Sequence, residues 1–125
     1  MGYISHRSEE SVEDYLETIY LLSRRLPVVR SIDIVNEMHF SKPSVSVAMK
    51  NLRSKNYITV SDEGYITLTD EGKKLGQGTY ERHALLTDWL IRLGVNPQTA
   101  ATDACKMEHD ISQESFEAMK KVILT

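Results

Sequence analysis

Two short runs rich in β-branched and aromatic residues, Tyr57-Ile-Thr-Val60 and Tyr65-Ile-Thr-Leu68, flank the triplet Asp62-Glu63-Gly64. Such residues suit a pleated, half-buried surface, and an acidic pair followed by glycine is a hairpin turn. The remainder of the chain carries helical periodicity, so the architecture is constrained to helices, one small hairpin, then more helices.

Before the hairpin the spacing predicts three helices. Val12, Tyr15, Leu16, Ile19, Leu22 and Leu26 form one apolar stripe over Ser8 to Leu26. Ser8 or Ser11 is the expected cap, Glu9, Glu10 and Glu13 suit the positive end, and Pro27 stops the helix. Ser31 is expected to cap a short helix over Ile32 to Met38, with Ile32, Val35 and Met38 facing inward. After the tight connection His39-Phe40, Ser41 caps a third helix, with Pro43 in its favoured first turn. This helix runs to about Lys55 and buries Val45, Ala48, Met49 and Leu52. Beyond the hairpin, Thr69 caps a helix in which Gly76 and Gly78 predict a bend or break. Tyr80 to Leu93 is strongly amphipathic and Gly94 ends it. Asn96-Pro97 starts a helix reaching about Asp110, and Ser112 starts a last one carrying Phe116, Met119, Ile123 and Leu124.

Two helices joined by a short turn and followed by a hairpin are in the order of a winged helix-turn-helix. The expected fold is therefore mainly α: a winged-helix DNA-binding domain over residues 1–72, then an all-helical domain over 73–125. The 125 residues have room for one domain or two small modules sharing a core. No apolar run approaches the roughly 20 residues of a membrane helix, and Met1 to Glu10 is too polar for a secretory signal. The single cysteine, Cys105, provides no internal disulfide and fits a reducing, cytoplasmic setting.

Net charge is −3, which by itself argues mildly against nucleic acid. Its distribution argues the other way. From Leu21 to Val60 the bases are Arg24, Arg25, Arg30, Lys42, Lys50, Arg53 and Lys55, against only Asp33 and Glu37. The third helix exposes Ser41, Lys42, Ser44, Ser46, Lys50 and Arg53, with Pro43 in its first turn. Small hydroxyls can approach base edges and phosphates closely, and the unopposed bases attract phosphates. The element order sets DNA binding above an ordinary solvated basic helix.

A second group of residues has metal-ligand chemistry. Asp14 and Glu17 are one turn apart on the first helix, on a face shared with Leu21. Cys105, Glu108 and His109 converge at i, i+3 and i+4 on a later helix, and His83 lies at the margin of the apolar face between them. Carboxylate, imidazole and thiolate are all recognised donors. Spacing alone leaves the ordinary readings open: a solvated acidic face, a core-edge histidine, a small buried cysteine.

Glu13-Asp-Tyr-Leu-Glu-Thr-Ile-Tyr20 resembles the opening helix of the diphtheria toxin repressor family of iron- and manganese-dependent regulators. Ser41-Lys-Pro-Ser-Val-Ser46 resembles its recognition helix. Arg82-His-Ala-Leu-Leu86 and Ala104-Cys-Lys-Met-Glu-His109 resemble its two later metal-binding segments. The likeness is to a short form without the C-terminal SH3-like domain. It implies a homodimeric repressor, loaded with Fe(II) or Mn(II), on a palindromic double-stranded operator, with no membrane and no small organic substrate as partner. It further implies that Asp14, Glu17, His83, Cys105, Glu108 and His109 form the metal site. The manganese branch has acids where Asp14 and Glu17 stand and a glutamate in place of Cys105. The iron branch has the cysteine, but a methionine in place of Asp14. This chain combines the two patterns. Its soft thiolate inclines it to Fe(II), while Co(II), Ni(II) and Zn(II) are expected to bind in vitro. Thr87 and Ala101 replace two ligands of an ancillary site in the iron branch, so that site is not expected.

Two other functions compete. A Cys105 nucleophile with a His83 or His109 base would make an enzyme, but no oxyanion or phosphate loop accompanies it. A winged-helix regulator sensing an organic ligand, without a metal site, would leave the converging donors as coincidence.

Overall fold

The computed structural model describes residues 2–125, with residues 2–10 described only as helical backbone. Its elements run α1 (Gly2–Arg25), α2 (Ser31–Met38), α3 (Lys42–Ser54), β1 (Ile58–Val60), β2 (Ile66–Leu68), α4 (Asp70–Arg92), α5 (Pro97–Asp110) and α6 (Gln113–Ile123). This is the expected mainly α class with one small sheet. Residues 11–77 and 78–125 form two compact units.

In the first unit, β1 and β2 pair antiparallel with Ile58 opposite Leu68, Thr59 opposite Thr67 and Val60 opposite Ile66. Gly64 turns the hairpin at φ +84°, a backbone region that favours glycine. The hairpin is anchored to the segment after α1 by the Ile66 amide, which donates to the Val29 carbonyl at 2.8 Å. Tyr15, Leu16, Ile19 and Leu22 of α1 bury against Ile34, Val45, Met49, Leu52, Ile58 and Ile66. Burial also raises the Tyr15 pKa.

Local chemistry accounts for most of the element starts. Ser41 Oγ accepts from the Ser44 amide at 3.3 Å, with Pro43 in the first turn of α3. Thr69 Oγ1 accepts from the Gly72 amide and so caps α4. Asn96 Oδ1 accepts from the Gln98 amide ahead of α5, and Ser112 Oγ accepts from the Ser115 amide ahead of α6. Each satisfies an amide that the helix itself leaves unpaired. Gly94 ends α4 at φ +99°.

Several expectations are corrected. Helix α1 begins at Gly2 rather than Ser8, so Ser11 lies inside it and caps nothing; the side chains of Ser8, Glu9 and Glu10 lie outside the described residues. Ser31 is the first residue of α2 rather than its cap, and the Arg30 amide instead donates to Asp33 Oδ2 at 2.9 Å. The core residue of α2 is Ile34, fully buried, whereas Ile32 is 44% exposed. Both Ile32 and Ile34 extend a helical stripe through Val35 and Met38, so spacing could not choose between them. Nor does α4 break at its glycines. It runs continuously through Gly76 and Gly78, and Gly76 lets its backbone approach α1 so closely that a Cβ there would lie 2.5 Å from the Leu16 carbonyl oxygen.

In the second unit, Leu86 of α4, Ala104 of α5 and Ile123 of α6 form the buried centre, with Leu85, Trp89, Leu90, Met107, Ile111 and Met119 packed around it. Among the described residues no helix is long and apolar enough to cross a membrane.

Candidate functional site

The C-terminal turn of α5 carries three potential metal donors on one face, because residues at i, i+3 and i+4 are neighbours on a helix. The Cys105, Glu108 and His109 ligand atoms lie within 4.8 Å of one another. Two donors bonded to one ion at about 2.0–2.3 Å are at most roughly 4.6 Å apart, so small side-chain adjustments bring all three to a common ion. From α4, His83 Nδ1 approaches Glu108 Oε2 at 3.0 Å, while His109 Nε2 lies 3.4 Å from Glu108 Oε1. The Glu108 side chain is 1% exposed and that of His109 3%, whereas His83 is 31% exposed.

A carboxylate so deeply buried carries a heavy desolvation cost unless partners of opposite polarity surround it. Here an imidazole stands on each side and a thiol lies close by. Imidazole nitrogen, carboxylate oxygen and thiolate sulfur are the donor types of divalent first-row transition ions. The residues fit such an ion, and the fit rests on the buried Glu108 rather than on the presence of acids alone.

Four of the six sequence-predicted metal residues belong to the second unit and two to the first. His83, Cys105, Glu108 and His109 are brought together in the second unit. Asp14 and Glu17 lie one turn apart on α1 in the first, both half-buried. A seventh residue, Arg82, was part of a recognised string but had no assigned role. Its Nη1 donates to the Glu108 carbonyl at 2.8 Å and to the Ile111 carbonyl at 3.2 Å. Its neighbour on α4 is His83, but no helical periodicity links Arg82 to a residue 26 positions away.

The candidate nucleic-acid face is on α3. Ser41, Lys42, Pro43, Ser44, Ser46, Lys50 and Arg53 are all exposed, opposite the buried Val45, Met49 and Leu52. Among the described residues, no ion pair engages Lys42, Lys50, Arg53 or Lys55, so their charge is available to an external anion. Sequence reasoning passed over Val47. It is 69% exposed and, at 100° per residue, lies near the centre of the outward face with Pro43 and Lys50. Val47 stands between Ser46 and Ala48 in the run Val45 to Met49, and nothing in that local pattern says which side it takes.

This pattern has known counterparts. A family model described as the iron dependent repressor N-terminal DNA binding domain matches residues 8–65, and one described as the iron dependent repressor metal binding and dimerisation domain matches residues 69–124. The transcriptional regulator MntR of Escherichia coli O157:H7 is 35% identical over 116 residues, which are 93% of this chain and 74% of that protein. The solved structure of the metal-dependent transcriptional regulator MtsR superposes with a TM-score of 0.83 at 30% identity, covering 90% of this chain and 53% of that one. The structure of the manganese regulator SloR gives 0.79 at 28% identity, with the same coverage. The chain therefore spans about half the length of these structural relatives, but nearly three quarters of the MntR protein. With both family models matched over almost all its residues, the chain belongs to the iron-dependent repressor family, whose members are metal-dependent DNA-binding transcriptional regulators rather than enzymes.

Proposed function

We propose that this chain is a metal-activated repressor that binds a palindromic operator as a homodimer when loaded with Fe(II) or Mn(II). The observation that carries the reading is the buried Glu108 carboxylate between the His83 and His109 imidazoles, with Cys105 beside it. Asp14 and Glu17 of α1 complete the ligand set that the family resemblance implies. A bound ion would supply positive charge to Glu108 and a common point of attachment for its ligands. Cys105, Glu108 and His109 would hold it from α5, and His83 would hold it from α4. Residues 1–72 form the DNA-binding part in this reading, and residues 73–125 the metal-binding and dimerisation part.

Homodimerisation follows from the task. One recognition helix spans a few base pairs, so an inverted repeat is read by a symmetric pair. Leu86, Phe116 and Ile123 are buried within one chain and so do not supply the contact. Within residues 78–125 the exposed large apolar side chains are Ile91, Leu93, Val122 and Leu124, each at least 40% exposed, beside the half-buried Trp89 and Met119.

Metal and operator affinities are linked: a metal that tightens DNA binding must itself be bound more tightly on DNA, by the same factor. The deciding experiment measures operator affinity under anaerobic conditions against Fe(II), Mn(II), Co(II), Ni(II) and Zn(II) in turn. The reading expects activation by Fe(II), because the Cys105 thiolate is softer than the carboxylates around it. Cys105→Glu should then shift the preference towards Mn(II). Likeness to the manganese regulator SloR favours a second reading, in which Mn(II) is the physiological effector. An unchanged metal preference in Cys105→Glu would remove Cys105 as the deciding ligand. No response to any divalent metal would overturn the function itself.

On α3, Lys42, Lys50 and Arg53 are assigned to phosphates, and Ser41, Pro43, Ser44 and Ser46 to the operator sequence. Lys50→Ala should weaken specific and nonspecific binding alike and reduce the slope of log K against log salt by about 1. Fluorescence anisotropy on operator and scrambled duplexes, from low to high salt, checks this. Unchanged nonspecific affinity and salt slope would reassign Lys50 to base reading.

A further inference from the structure

Arg82 of α4 is joined by hydrogen bonds to the turn that carries the buried glutamate. Its guanidinium reaches the end of α5 and the start of α6 at once. Nη1 donates to the carbonyls of Glu108 at 2.8 Å and Ile111 at 3.2 Å, and Nη2 donates to Gln113 Oε1 at 2.6 Å. The guanidinium carbon lies 5.2 Å from the centroid of the Phe116 ring, itself buried on α6.

The physical demand for this contact arises from α5. The last carbonyls of a helix have no partner within it and form the negative pole of its dipole. Helix α5 stops at Asp110 and the chain turns extended at Ile111, with φ −112° and ψ 150°. Arg82 provides that end with both a cation and fixed N–H donors. A guanidinium can do this because its donors are rigidly coplanar and point in several directions at once, whereas a lysine ammonium is a single mobile point charge.

Glu108 is thereby held from two consecutive residues of α4. Arg82 takes its backbone carbonyl, and His83 takes its carboxylate at 3.0 Å. Rotation or sliding of the last turn of α5 would have to break the Arg82 bonds as well as the His83–Glu108 contact. We propose that Arg82 is the positioning residue of the metal centre, fixing the ligand-bearing turn of α5 against His83 and tying that turn to α6 through Gln113 and Phe116. This rests on the reading of His83, Cys105, Glu108 and His109 as metal ligands.

The test compares Arg82→Lys, Gln113→Ala and Glu108→Gln with the wild-type chain, each purified without metal. Mn(II) affinity is measured by calorimetry, the Co(II) complex by its visible absorption spectrum, and the metal-free protein by thermal melting. Outer partners of metal ligands typically contribute about 10–100-fold in metal affinity. Arg82→Lys should therefore weaken Mn(II) by at least about 10-fold and alter the Co(II) spectrum, which reports ligand geometry rather than overall stability. Gln113→Ala, which loosens the Arg82 fork from α6, should give a smaller loss in the same direction. If Arg82→Lys keeps wild-type Mn(II) affinity and an unchanged Co(II) spectrum while Glu108→Gln loses the metal, the positioning role is overturned and the metal site stands. If Glu108→Gln also binds like wild type, the ligand reading falls and takes the proposal with it. Should Arg82→Lys not fold, Gln113→Ala decides, and an unchanged affinity and spectrum for that variant overturn the proposal.

Discussion

Glu108→Ala or His109→Ala will yield a folded chain whose affinity for operator DNA no longer rises when metal is added. The Glu108 carboxylate is buried to within 1% and has an imidazole 3.0 Å away on one side and 3.4 Å away on the other. It approaches both histidines. Removing a bound ion's central anion should cost more than the about 10–100-fold lost with an outer partner. Metal-dependent binding is then expected to disappear at micromolar Fe(II) or Mn(II), while metal-free affinity stays at its basal level. The chain should stay folded because its apolar centre, Leu86, Ala104 and Ile123, is untouched, and the N-caps of α5 and α6, Asn96 and Ser112, do not involve the Glu108 side chain. Glu108→Gln is the control for volume, since it keeps the shape and removes only the charge. Its melting temperature without metal should fall within a few degrees of wild type, because removing a costly buried carboxylate offsets part of the lost contact. The measurement is a pair of operator titrations with and without metal, beside circular dichroism of each variant. Retained metal-dependent operator binding in Glu108→Ala and His109→Ala would show that the ion is held elsewhere.

What could be read from the residues alone follows the range of the forces involved. The caps at Ser41, Thr69, Asn96 and Ser112 and the Gly64 turn depend on neighbours three or four positions away, and the structure has them where the spacing placed them. The convergence of Cys105, Glu108 and His109 is legible for the same reason, since a single helix turn brings them together. His83 is different. Its contact with Glu108 depends on how α4 packs on α5; its place at the margin of the apolar face makes it a candidate, and resemblance to the family assigns it the ligand role. Arg82 and Val47 had no local pattern at all. The role of Arg82 exists only because the end of α5 lies against α4, and the exposure of Val47 became visible only with the rotation of α3 about its axis. The choice of Ile32 over Ile34 failed because two residues fit the same stripe. Propensity misjudges Gly76 and Gly78: each weakens a helix in isolation, but Gly76 packs against the Leu16 backbone far away in sequence and Gly78 faces open space.

That space makes the glycines of α4 a test with opposite signs. Gly72→Ala is expected to destabilise the winged-helix unit by about 2 kcal/mol or more, whereas Gly78→Ala should be neutral or stabilising by up to about 1 kcal/mol. In a helix interior alanine is favoured over glycine by roughly 1 kcal/mol, so propensity alone would make both changes beneficial. At Gly78 a Cβ meets nothing within 4 Å, and that benefit remains. A Cβ at Gly72 would instead overlap the Tyr57 carbonyl oxygen and lie 3.0 Å from its carbon. This is backbone, not the end of a side chain that could swing aside. The same carbonyl accepts from the Thr69 amide at 3.0 Å, and Thr69 Oγ1 both accepts from the Gly72 amide at 3.1 Å and donates to the Asn56 carbonyl at 2.8 Å. Relieving the clash therefore means lifting the first turn of α4 off the start of β1, which breaks the cap and these bonds together. Each bond is worth about 0.5–1.5 kcal/mol net, so the loss outweighs the propensity gain. Urea unfolding of the metal-free variants separates the two effects, because metal binding cannot mask either one. A Gly72→Ala chain as stable as Gly78→Ala would mean that the first turn of α4 can leave the hairpin freely, and the close approach at Tyr57 would lose its structural meaning.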